Sequence, residues 1–257
     1  MINIKKTCEI DIDRLEEHIG GGSRLVSFQV LNNGNVAMIF KFPERNDDRI
    51  RYTVKIHNRL GIQRQCSFTA VESSMVNVML YAGELYAFMK GKEADDISIN
   101  RLDPATKENI VPLNRGVIRQ SIGISADDFM IAYADGTVTR YVKGSANTVL
   151  GAGRSTCLSL DFNRKYMVYD GEKIVRFDDA INRTYSIQCG KIDGFILARS
   201  DRSIAVCTGG RLVEYVREGD CFVRGRELAE FDIDDCSMVK DTAAVLSGRT
   251  IYVYKTV

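Results

Sequence analysis

Four short apolar runs in the second half of this chain each end in a tight glycine turn and lead into an alternating strand. They read FMIAYADGTVTRYV (129–142), KYMVYDGEKIVRFD (165–178), SIAVCTGGRLVEYV (203–216) and TAAVLSGRTIYVYK (242–255). Their turn glycines, Gly136, Gly171, Gly209 and Gly248, follow one another at 35, 38 and 39 residues. A repeat of about 40 residues is the length of one four-stranded propeller blade. A unit of that size cannot bury its own apolar faces, so neighbouring copies must stack.

Local chemistry supports the same phasing. Asp135-Gly136, Asp170-Gly171 and Gly209-Gly210 supply the positive-φ positions that hairpin turns require. The run before each turn, such as Phe129–Tyr133, is almost wholly apolar, as a strand buried on both faces must be. The strand after it, such as Thr137–Val142, alternates and predicts one apolar and one polar face.

The first half can be phased in the same way. Leu25–Leu31 and Asn35–Phe42 pair around Asn32-Asn33-Gly34, with Arg51–His57 and Gln63–Ala70 as the outer pair. Met75–Tyr81 and Glu84–Met89 begin a second unit, completed by Ile97–Leu102 and Asn109–Leu113. The reading is an all-β chain forming a single β-propeller of about six four-stranded blades over residues 1–257. The blades fall at about 24–72, 73–115, 116–153, 154–190, 191–230 and 231–257. The last repeat is one strand short, and the strand-like segment Ile2–Ile10 is one too many. We therefore expect the N-terminal strand to close the last blade and remove its open edge. Between that strand and the first blade, Arg14–Ile19 is expected as one or two helical turns, with Asp11 or Asp13 as N-cap and Gly20 as stop.

The segment ISADDFMIAYADGTVTRYV (124–142) resembles the core of a WD40 repeat, and 154–190 and 191–230 resemble degenerate copies. The likeness covers about half the chain. No Gly-His pair opens and no Trp-Asp pair ends any blade; Tyr141, Phe177, Tyr215 and Tyr254 stand where the tryptophan would be expected. The resemblance implies a WD40-like propeller without identifying a subfamily; the wide, rigid faces of a closed propeller suit protein docking.

Composition narrows the function classes. With 35 basic and 34 acidic residues the net charge is +1, so bulk charge points to neither nucleic acid nor membrane. The N-terminal stretch MINIKKTCEIDIDRLEEHI lacks an apolar signal core, and no apolar run approaches the roughly 18 residues of a membrane helix. The expectation is a cytoplasmic or nuclear protein with no membrane insertion. The cysteines Cys8, Cys66, Cys157, Cys189, Cys207, Cys221 and Cys236 are scattered and form no C-x-x-C pair, which predicts reduced core fillers.

Candidate chemistry is sparse. The two histidines, His18 and His57, stand in no nucleophile motif and read as surface or packing residues. Gly20-Gly21-Gly22-Ser23 lacks the lysine and helix of a phosphate loop and reads as a flexible joint. Asp11-Ile12-Asp13 and Asp232-Ile233-Asp234-Asp235 lack calcium-loop spacing and read as turn carboxylates. Asn182-Arg183-Thr184 is a glycosylation sequon that matters only to a secreted chain. No catalytic residue, metal site or cofactor is assigned.

One charge pattern remains. If the phasing holds, Arg154, Lys173, Lys191, Arg211 and Arg249 open onto one face of the disc as a basic interaction face. Asp127, Asp128, Asp178, Asp179 and Asp220 open onto the opposite face, where Arg59 is one of few bases. The function expected is a non-catalytic protein-interaction scaffold within a larger intracellular complex. One alternative is a non-catalytic subunit of an RNA-binding or RNA-modifying complex, for which only the basic face speaks. Another is a propeller-type metal-dependent hydrolase with convergent acids at the central channel.

Overall fold

A computed structural model describes the chain apart from residues 1, 44–48, 72–74, 82–83, 91–95, 103–104, 113–117, 126, 144, 152–156, 162, 164, 178–182, 189–191, 198–201, 220 and 231. Its strands form six antiparallel four-stranded sheets arranged as a β-propeller. The first contains β2 (Arg24–Val30), β3 (Val36–Lys41), β4 (Arg49–Asn58) and β5 (Gly61–Val71). The second contains β6 (Met75–Tyr81), β7 (Glu84–Lys90), β8 (Asp96–Leu102) and β9 (Ala105–Pro112). The third contains β10 (Ile118–Ser125), β11 (Asp128–Tyr133), β12 (Val138–Val142) and β13 (Ser145–Leu150). In the fourth are β14 (Cys157–Leu160), β15 (Tyr166–Tyr169), β16 (Lys173–Phe177) and β17 (Arg183–Gln188). In the fifth are β18 (Gly194–Leu197), β19 (Ser203–Thr208), β20 (Arg211–Glu218) and β21 (Cys221–Glu230).

The last sheet joins the two ends of the chain. β22 (Asp235–Val239), β23 (Thr242–Ser247) and β24 (Thr250–Thr256) are followed outward by β1 (Ile4–Asp11). β1 runs antiparallel to β24 from Ile4 opposite Thr256 to Asp11 opposite Thr250. A register shift between Lys6 and Cys8 interrupts this pairing. The innermost strands β2, β6, β10, β14, β18 and β22 neighbour one another around the axis. Turns between the second and third strands share one face with the starts of the innermost strands. We name this face upper; the remaining hairpin turns lie on the lower face.

The apolar runs are the second strand of each sheet, covered on both sides by neighbouring sheets. Ile131, Tyr133, Met167, Val168, Ala205, Val206, Ala244 and Val245 are all buried. Tyr141, Phe177 and Tyr215, all on third strands, are buried as well, whereas Tyr254 is half-buried. The strand after the turn departs from expectation. Thr139 and Arg140 of β12 are buried along with Val138 and Tyr141, because both faces of this third strand are still covered by the adjacent sheets. Burial of Arg140 is made possible by a bidentate bond to Asp128, at 3.0 and 2.9 Å, and by its guanidinium lying 5.1 Å from the Tyr166 ring centre.

Helix α1 (Ile12–Ile19) starts two residues earlier than expected, because Asp11 is its N-cap and accepts from the Arg14 amide at 3.1 Å. The three glycines after it form a built turn rather than a loose joint. All have φ between 64° and 71°, and the Ser23 amide donates to the Gly20 carbonyl at 3.2 Å. Arg249, in the β23–β24 turn, holds the helix through Asp13 at 2.8 Å and Glu16 at 2.5 Å.

Candidate functional site

The innermost strands surround an axial pit of about 260 Å³ that opens at their upper ends. Arg119 and Gln120 of β10, Asp193 ahead of β18 and Asp235 of β22 supply its charged and polar lining. Much of the polar capacity here already binds sheet to sheet. Gln120 clasps Leu158 of the next sheet, its Nε2 donating to the carbonyl at 2.9 Å and its Oε1 accepting from the amide at 2.8 Å. Ser237 Oγ accepts from the Val30 amide at 2.8 Å, and Ser159 Oγ donates to the Met238 carbonyl at 3.1 Å.

Two thiols face the pit. Cys157 and Cys236 both donate to the Asp193 carbonyl, at 3.5 and 3.3 Å. Burial pushes the Cys157 thiol up to about 12, reinforced by Cys236 and the carboxylates of Asp193 and Asp235 and opposed by Arg119. The hydrogen bond with Cys207 raises the Cys236 thiol, and burial adds to it. Protonated thiols are poor nucleophiles and poor metal ligands. Burial likewise raises the Asp235 carboxyl, with its neighbouring Cys236 amide and Arg119 pulling the other way. Among the described residues no group of three or more histidines, cysteines and acids is disposed to hold a metal ion.

Lys240 stands on the lower face. It sits in the β22–β23 turn at φ 54°; its amide donates to the Leu160 carbonyl at 3.0 Å and its Nζ to the Asn32 carbonyl at 2.7 Å. One residue therefore ties the first, fourth and last sheets together. Lys240→Ala is expected to lower stability by about 1–2 kcal/mol. Lys240→Gly, which loses the same side-chain bond but relieves the left-handed backbone, should cost about 1 kcal/mol less. Urea unfolding of both variants measures the difference.

The expected basic residues divide as follows. Lys173, Arg211 and Arg249 lie at second-to-third-strand turns on the upper face, whereas Arg154 and Lys191 lie outside the described residues. Arg211 is engaged by Glu227 at 3.0 Å and Glu230 at 3.5 Å, and Arg249 by the helix carboxylates. Of the acids expected opposite, Asp127 and Asp128 lie at a lower turn, and Asp178, Asp179 and Asp220 are outside the described residues. Among the turn aspartates, Asp234 accepts from the Gly248 amide at 2.7 Å. His18 is exposed on α1, and His57 is half-buried on β4.

A feature that sequence reasoning passed over stands on the lower rim. The hairpin of β4 (10 residues) and β5 (11 residues) carries Asn58-Arg59-Leu60 at its turn. Leu60 is 79% and Ile62 41% exposed, the only pair of exposed large hydrophobics sharing one turn among the described residues. The signal was present: an aliphatic residue stood between Arg59 and Gly61, where turns usually carry polar residues.

Sheets set radially about an axial pit define the chain as a β-propeller. The sequence matches no family model and no curated protein. In structure it is similar to Hsv2p of Kluyveromyces lactis, with a TM-score of 0.56 and 15% identity over 87% of this chain and 71% of that one. It is also similar to KlHsv2 with loop 6CD replaced by a Gly-Ser linker, with a TM-score of 0.59 and 12% identity over 88% and 75% of the two chains. A protein from Bacteroides caccae matches with a TM-score of 0.51 and 12% identity over 81% and 83%. These likenesses carry the fold. Among the described residues no helix is long and apolar enough to cross a membrane.

Proposed function

We propose that this chain is a non-catalytic protein-interaction module of a larger intracellular assembly, docking a partner through the lower rim around the β4–β5 hairpin. The observation that carries this reading is the pair Leu60 and Ile62, held in water at 79% and 41% exposure by a paired two-stranded arm. Single exposed aliphatics are ordinary, but two at one projecting turn form an anchor whose burial would contribute about 1.5–3 kcal/mol per side chain. A strand pair preorganises that anchor, so little ordering entropy opposes docking. The protonated thiols and inter-sheet bonds of the axial pit support a structural use of that region.

The test is the double substitution Leu60→Asp, Ile62→Asp. Both sites are at the surface, so the melting temperature should stay within about 2 °C of the parent. The parent should copurify with a stoichiometric protein partner that the variant loses. A parent isolated without such a partner, or a variant retaining it, would overturn the reading.

A further inference from the structure

Beside that hairpin, the seam between the last sheet and the first opens into a pocket of about 220 Å³. Among the described residues its cations are Arg59 and Lys255, and no carboxylate lines it. Among the described residues neither cation has an ion-pair partner. Lys255 is only partly exposed, and its Nζ is tucked against the β2–β3 turn, 3.1 Å from where a Cβ on Gly34 would stand. A partly buried ammonium with no ion pair among the described residues favours an anionic occupant.

The remaining wall selects the kind of anion. Asn58 uses its side-chain oxygen to accept from the Leu60 amide at 2.7 Å, leaving its NH₂ as donor. Val36 and Val253 form an apolar wall. Further along β4, Lys55 is wholly buried and its Nζ has no hydrogen-bond partner among the described residues. Burial lowers the His57 imidazole, which disfavours its charged form, so the cations of the pocket are Arg59 and Lys255. We propose that this pocket binds a carboxylate carried on a short aliphatic stem, either a free acid or an acidic side chain of a partner peptide. The carboxylate meets the guanidinium and ammonium, while the stem lies along the valines. A free phosphate, more strongly hydrated and without a stem, would leave that wall unused. The inference goes beyond the docking role and does not depend on it.

The test follows backbone amide resonances of the full chain during titration at constant ionic strength. The probes are butyrate, its neutral isostere butyramide, acetyl-Gly-Glu-Gly-amide, its glutamine counterpart and inorganic phosphate. Butyrate and the glutamate peptide should shift residues 34–36, 57–59 and 253–255 saturably, while the two neutral probes should leave them unmoved. The tighter of the two acids tells whether the natural source is a free acid or a peptide side chain. Lys255→Met and Arg59→Gln should each weaken binding about tenfold, the loss of one charge-assisted contact, and Lys255→Arg should retain it. Scattered or non-saturating shifts, equal response to a neutral probe, or preference for phosphate would overturn the proposal. So would unchanged binding in a folded Lys255→Met, Arg59→Gln double variant.

Discussion

Removing residues 1–10 is expected to yield aggregated protein with no cooperative unfolding transition. β1 is the outer edge of the last sheet, paired along its length with β24. It also brings buried apolar groups: Ile2 and Ile10 are each 3% exposed. The first residues reach past their own sheet into the fifth. The Ile2 amide donates to Glu214 Oε1 at 2.6 Å, and Arg226 donates to the Ile2 carbonyl at 2.6 Å. Glu214 is 2% exposed, so the deletion leaves a buried carboxylate with one donor fewer. Each lost ladder bond costs about 0.5–1.5 kcal/mol and each isoleucine about 1.5–3 kcal/mol, together comparable with a typical net stability of about 5–15 kcal/mol. The exposed edge of β24 then templates pairing between chains. Size-exclusion chromatography and near-ultraviolet circular dichroism read the outcome. A peptide of residues 1–11 added in trans should restore monomeric protein. A truncated chain that melts with the parent would show that the ring does not need its closing strand.

Phe129→Ala is expected to cost about 3–5 kcal/mol, and Phe129→Leu about a third of that. Phe129 is 1% exposed at the seam between the second and third sheets. Its ring meets Phe88 edge-on at 5.0 Å and stacks on Tyr141 at 4.9 Å. Truncation therefore removes both aromatic contacts and leaves a cavity that paired strands cannot collapse to fill. The neighbouring Tyr133 and Tyr141 hydroxyls, hydrogen-bonded at 3.0 Å, lock the far side of the seam and hinder repacking. At 257 residues the melting temperature should fall by about 10 °C for the alanine variant. Differential scanning calorimetry on both variants checks the ratio. A loss below about 1 kcal/mol for alanine would mean that the inter-sheet seam carries little of the stability.

The part of the fold that was legible in sequence rests on local rules. Gly209 and Gly210, at φ 55° and 77°, make a two-residue turn that no β-branched residue could replace without strain. The unbroken apolar run at 203–207 needs cover on both faces, so it predicted buried strands before any partner sheet was known. The strand count predicted that the N-terminus would complete the last sheet, because an unpaired edge is costly anywhere in a closed ring. Charge placement was less accessible. Arg211 and Arg249 could be assigned to a face by turn counting, but their neutralisation by Glu227, Glu230, Asp13 and Glu16 depends on which elements lie alongside.

What the sequence determined by itself, then, is whatever follows from period and backbone conformation: the all-β repeat, its turns, the strands buried on both faces and the need for closure. What only the tertiary structure decided is everything that joins residues distant along the chain. Arg59 and Lys255 lie 196 positions apart in sequence and line one pocket only because the last sheet stands against the first. Asp193, Cys157 and Cys236 meet at the pit only because the innermost strands converge on an axis. The exposure of Leu60 depends on no described element covering the β4–β5 turn. Periodicity states which face of a strand is apolar; it carries no information about which side chain of another sheet stands opposite, and binding sites are made of such oppositions.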